Sequence, residues 1–122
     1  MTEVVELTEF INNTFTSIKV YDDCVDFKND TQHFRMEHQQ DCCECVEVED
    51  VCGDIETLIN FPIIHAEMVS EEDPYASESG TWTFYKFATV VGNVTIRWYG
   101  SSNGYYSERV SIYDFVKQKV IY

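Results

Sequence analysis

Apolar and polar residues alternate along much of this chain, and the alternation predicts strands. Ile18 and Val20, Val25 and Phe27, then Phe34 and Met36 are separated by polar neighbours. SIKVYD, CVDFKN and HFRMEH therefore read as a short meander with a turn at Asn29-Asp30. Val46 and Val48 alternate with Glu47 and Glu49, which predicts a half-exposed strand with both glutamates on its wet face. In IIHAEMV, Ile64, Ala66 and Met68 share one face, and His65 and Glu67 the other. TWTFYKFATVV and NVTIRWYG, joined near Gly92-Asn93, give the strongest hairpin signal in the chain. Ser101 to Gly104 form a second turn, leading into YYSERVSIYDF.

Helical spacing is rarer. In TEVVELTEFINNTF, the positions of Val4, Val5, Phe10, Ile11 and Phe15 partly fit an amphipathic helix capped by Thr2 and ended by Asn12-Asn13. DIETLIN follows Gly53, carries Asp54 and Glu56 at the positive helix end, and is stopped by Pro62. SEEDPYASESG reads as a polar loop, and the terminal VKQKVIY fits strand and helix equally. The expected class is α+β: a mostly antiparallel sheet of meander and hairpins with one or two short helices. No linker or repeat divides the chain, so residues 1–122 are expected to form a single domain.

Charge changes this picture. The net charge is −14, and Met36 to Tyr85 holds thirteen carboxylates with no lysine or arginine. Such a surface repels a phosphate backbone and anionic membranes, so neither nucleic acid nor membrane is an expected direct partner. It favours basic proteins, including those that hold nucleic acid. The same charge is also an ordinary way to keep a small protein soluble. MTEVVELTEF has no basic region before an apolar run, so a cytoplasmic location and reduced thiols are expected.

Four of the five cysteines lie in the acidic stretch. His38, Cys42, Cys43 and Cys52 combine imidazole and thiolate, which a structural Zn2+ requires, and Asp41 or Glu44 could add an oxygen. The spacing matches no recognised zinc finger, and buried cysteines acting as small hydrophobes explain it equally. Catalysis is less favoured. The chain has no HExxH, GxSxG or glycine-rich phosphate loop, and carboxylates around Cys43 would disfavour a thiolate nucleophile based on His38.

Aromatic residues form the second cluster. Trp82, Phe84 and the stem of Lys86 share one strand face, with Tyr85 and Phe87 on the other, as in a two-sided sheet core. Tyr99, Tyr105 and Tyr106, near Arg97 and Arg109, flank a polar turn and form an adhesive tip.

The blocks HQQDCCE (38–44), EDVCGD (49–54), TWTFYK (81–86), TIRWYG (95–100) and SNGYYSE (102–108) resemble a family of small phage and prophage proteins known only as a domain of unknown function. Small acidic proteins of that kind include anti-CRISPR inhibitors, and at least one inhibitor of the type II effector nuclease is similar in being a compact metal-binding protein. The resemblance implies a non-enzymatic inhibitor in the host cytoplasm that occupies a CRISPR effector nuclease and blocks target-DNA loading. Such nucleases hold the guide–target heteroduplex in a basic channel. Glu47, Glu49, Asp50, Glu71, Glu72 and Asp73 are the expected partner-binding residues, held in shape by the zinc site. Two alternatives are a sponge for a signalling nucleotide, built on Arg97, Trp98, Tyr99, Tyr105 and Tyr106, and a metal-dependent hydrolase. Hairpin-rich edges allow either a monomer or a dimer.

Overall fold

The alternating segments resolve into two antiparallel sheets that share one core. A computed structural model describes residues 3–40 and 43–115. The strands are β1 (Glu3–Val4), β2 (Ser17–Val20), β3 (Cys24–Lys28), β4 (His33–Glu37), β5 (Cys45–Cys52), β6 (His65–Glu72), β7 (Ser79–Ala88), β8 (Asn93–Ser102) and β9 (Ser111–Asp114). One sheet runs β1-β9-β4-β3-β2 and the other β5-β8-β7-β6. The expected meander is β2-β3-β4, and the expected long hairpin is β7-β8. No described helix is long and apolar enough to cross a membrane.

Among the described residues, the helical elements before β9 are two single 3-10 turns, Leu7–Phe10 and Ile55–Leu58. The second is capped by Asp54, whose side chain accepts the Glu56 backbone N–H at 3.0 Å. The first replaces the longer N-terminal helix. Glu3 and Val4 pair with β9, so strand pairing overrides the weak helical spacing there. Asn12 then takes φ 70°, a left-handed turn that asparagine tolerates. Gly53 sits at φ +110°, where a Cβ would come within 2.7 Å of the Asn93 carbonyl, so the bend after β5 requires glycine.

This short turn drives Phe10 into the centre of the core. Its ring lies 5.1 Å from Phe27, 5.1 Å from Phe34, 5.2 Å from Phe87 and 5.8 Å from Phe15. Phe27 of one sheet and Phe87 of the other meet at 5.2 Å. Trp98, Ile96 and Val94 fill the β8 side of the same core, fully buried. Each such side chain contributes roughly 1.5–3 kcal/mol by leaving water.

The metal-site expectation fails on backbone geometry. β5 is extended from Cys45 to Cys52, which separates the two ends by about 23 Å at strand rise. Cys52 points to solvent opposite Thr95, away from the expected site. Cys43 is disulfide-bonded, so it is no thiolate ligand, and this also departs from the expected reduced state. Both ring nitrogens of His38 are engaged: Nδ1 donates to the Arg109 carbonyl at 2.7 Å, and Nε2 lies 3.0 Å from Glu44 Oε1. The two side chains are 6% and 0% exposed. Cys42 lies outside the described residues. Among those described, no group of three His, Cys, Asp or Glu side chains could hold a metal ion. The structural Zn2+ at His38, Cys42, Cys43 and Cys52 is withdrawn, and the zinc-braced nuclease inhibitor and the metal-dependent hydrolase go with it.

Candidate interaction surface

The sequence places its carboxylates in one segment, and the fold sends that segment to both edges of one sheet. β5 and β6 flank the central β8-β7 hairpin, so an acidic strand lies on each side of the aromatic one. Directly paired residues share a face. On the outer face this produces transverse rows. The first is Glu47, Tyr99, Trp82 and Glu71; the second is Asp50, Arg97, Phe84 and Val69; the third is Cys52, Thr95, Lys86 and Glu67.

A bulge makes the second row. The β5–β8 register shifts between Val48 and Asp50, so Glu49 is the extra residue and Asp50 stands opposite Arg97. Strict alternation put Glu47 and Glu49 together on the wet face. The bulge instead gives that face Glu47 and Asp50.

The aromatic centre is packed side to side. Trp82 lies 4.7 Å from Tyr99 and stacks with Phe84 at 6.3 Å between ring centroids. The Arg97 guanidinium carbon lies 5.6 Å from the Trp82 ring centre, a cation–π distance. Asp50 grips that guanidinium through both carboxylate oxygens. The hydrogen bond from Arg97 holds the Asp50 carboxyl below the usual carboxylate range. Tyr99 Oη donates to Asp73 Oδ2 at 2.7 Å, which raises the phenol and lowers the carboxyl. At the β5 edge, the Cys45 thiol donates to Glu47 Oε1 at 2.9 Å, and that bond raises the thiol.

Four of the six expected partner-binding residues therefore meet at this surface. Glu47, Asp50 and Glu71 lie in its rows, and Asp73 anchors Tyr99. Glu49 is exposed in the bulge, and Glu72 pairs with Thr81 on the opposite side of the sheet. The nucleotide-stacking arrangement does not form. Trp98 is 0% exposed, Arg97 is committed to Asp50 and Trp82, and Tyr105 stands apart at 89% exposure on the turn beyond β8. Trp82 and Phe84 are the members that expectation missed; alternation had already put them on one face, but nothing local showed that this face is turned to solvent.

These features define a small two-sheet antiparallel β protein whose functional candidate is a solvent-facing aromatic sheet surface with carboxylates at its edges. The chain belongs to the family described as domain of unknown function DUF7448, whose model matches residues 8–112. No curated protein and no solved structure matches it.

Proposed function

We propose that this protein is a non-catalytic interaction module that docks a protein partner on the outer face of the β5-β8-β7-β6 sheet. One observation carries the reading. Trp82, Phe84 and Tyr99 pack together in adjacent rows on a face that antiparallel sheets ordinarily cover with polar side chains. Tryptophan, tyrosine and arginine are the residues that dominate binding energy at interfaces. Here Asp50 and Asp73 hold Arg97 and Tyr99 in place, so little freedom remains to be lost on docking. Glu47, Glu67 and Glu71 form the rim, which suits a partner with lysine or arginine around an apolar centre. Arg97 with Asp50, Tyr99 with Asp73 and Cys45 with Glu47 are committed to one another, and that supports binding rather than catalysis.

A photo-crosslinking phenylalanine analogue at position 84 tests this, with the same analogue at Lys19 as control, in extract from the source organism. A discrete adduct is expected from position 84 and none from position 19. Excess unlabelled wild-type chain should compete it away, and a Trp82→Ala chain should not. Equal competition by both chains, or equal adducts from both positions, would overturn the proposal.

A further inference from the structure

A second surface lies at the edge of the same sheet. Asp73 donates its N–H to the Gly80 carbonyl at 2.8 Å, and Thr89 donates to Gly92 at 2.9 Å. With the observed register, these bonds set the phase of the ladder. The odd-numbered residues of β6 bond to β7, so the main chains of Ala66, Met68, Ser70 and Glu72 point outward. Among the described residues, no backbone group outside the sheet pairs with them. β6 is eight residues long and has no proline. Natural edges are usually blunted by proline, bulges, short length, charge or a covering segment; here charge is present, as Glu67, Glu71 and Glu72, and the Leu7–Phe10 turn packs against the strand. Antiparallel pairing with a second copy, centred on Val69, would set Glu67 against Glu71, which like-charge repulsion disfavours.

The inner side of this edge opens on a groove of about 290 Å³ lined by Met68, Ser70, Thr83, Tyr85, Tyr106 and Arg109. Arg35 and Arg97 are each held by an aspartate, whereas exposed Arg109 forms no ion pair among the described residues. An added strand would send alternate side chains to the two faces.

The geometry points to β6 as a docking edge for an extended segment of a basic protein. The segment carries Lys or Arg opposite Glu67 and Glu71, and an acidic side chain opposite Ser70 that reaches toward Arg109. This edge shares Glu67 and Glu71 with the rim of the aromatic face, but its outward main-chain groups are separate from that face.

The probe is the synthetic peptide Thr-Lys-Asp-Val-Thr-Lys-Thr, titrated into isotope-labelled full-length protein and followed by amide NMR. The amides of Ala66, Met68, Ser70 and Glu72 are expected to shift and to gain protection from exchange. Methylating the edge-facing peptide nitrogens should weaken binding about tenfold, because hydrogen bonds are lost. Arg109→Ala should weaken this peptide but not its Asp-to-Thr version. Glu71→Lys should reject it and accept a peptide with Glu in place of the facing Lys. Silence at those four amides, or equal binding of the methylated peptide, would overturn the inference. So would the same shifts appearing on raising protein concentration without peptide, which would assign the edge to a second copy.

Discussion

Arg97 lies across the face of Trp82, its guanidinium carbon 5.6 Å from the ring centre, and Asp50 on the neighbouring strand fixes it there. Arg35 repeats the arrangement on the other sheet, 5.0 Å from the Phe115 ring and bonded to Asp26. The two differ in burial: the Asp26 side chain is 5% exposed and that of Asp50 43%. An exposed pair adds little to stability and acts chiefly by orienting its members. Asp50→Ala should therefore leave the melting temperature nearly unchanged while freeing Arg97 from the indole. Acrylamide quenching reads this, because Trp98 is fully buried and the quenchable emission comes from Trp82. Quenching should rise in the variant, and unchanged quenching would show that Asp50 does not hold the arginine.

Asp26 gives a pH dependence of definite sign. Burial alone would raise its carboxyl, but hydrogen bonds from Arg35 and His33 outweigh burial and hold it below the usual range. A carboxylate lowered in the folded state contributes stability above its unfolded pKa of about 4, and that contribution is lost as pH falls through the folded value. Asp26→Asn should cost about 1–2 kcal/mol near neutral pH, by loss of hydrogen bonds to a half-buried arginine. The difference between wild type and variant in urea midpoint should shrink below about pH 4. Tyr85 acts at the other limit: burial pushes its phenol up to about 12. Unfolded tyrosine ionises near pH 10, so stability should fall above about that pH, and Tyr85→Phe should flatten the fall.

Cys45 should be a slow thiol. Its hydrogen bond to Glu47 raises the thiol above its ordinary value, which lowers the reactive thiolate fraction. Iodoacetamide labelling followed by peptide mass spectrometry should show faster alkylation of Cys45 in Glu47→Ala than in wild type. Equal rates would mean that the bond does not persist in solution.

Chelation should leave the fold intact. His38 has one partner on each ring nitrogen, and Cys43 is committed to a disulfide. A melt with and without a strong chelator, paired with elemental analysis, should give superimposable curves and no stoichiometric zinc. One zinc per chain with a chelator-dependent melting temperature would restore the discarded metal site.

The β7-β8 hairpin was legible because two runs rich in aromatic and β-branched residues, Trp82–Phe87 and Val94–Trp98, flank Gly92. The same spacing separated Tyr85 and Phe87 from Trp82 and Phe84 but did not say which pair faces the core; the fold buries Tyr85 and Phe87. β6 was legible only in its apolar half. It continues through Glu71 and Glu72, which look like loop residues but pair with Trp82 and Thr81, because an edge strand tolerates charge. The role of His38 was hidden for a different reason. Its Nδ1 partner is the carbonyl of Arg109, seventy-one residues along the chain, and no local pattern announces such a contact. Nearby cysteines offered a nearer explanation, and an extended β5 removed it.

The single extra residue at Glu49 works like a comma in a sentence whose words alternate. Before it, even-numbered residues of β5 face the core, as Val46 and Val48 do; after it, Val51 faces Ile96 and Asp50 turns outward. Pairing Glu49 opposite Arg97 instead of bulging it out would carry the first parity to the end of the strand. Asp50 would then fall on the buried side opposite Ile96, Val51 would turn to water, and Arg97 would lose Asp50, although the sequence of the strand had not changed.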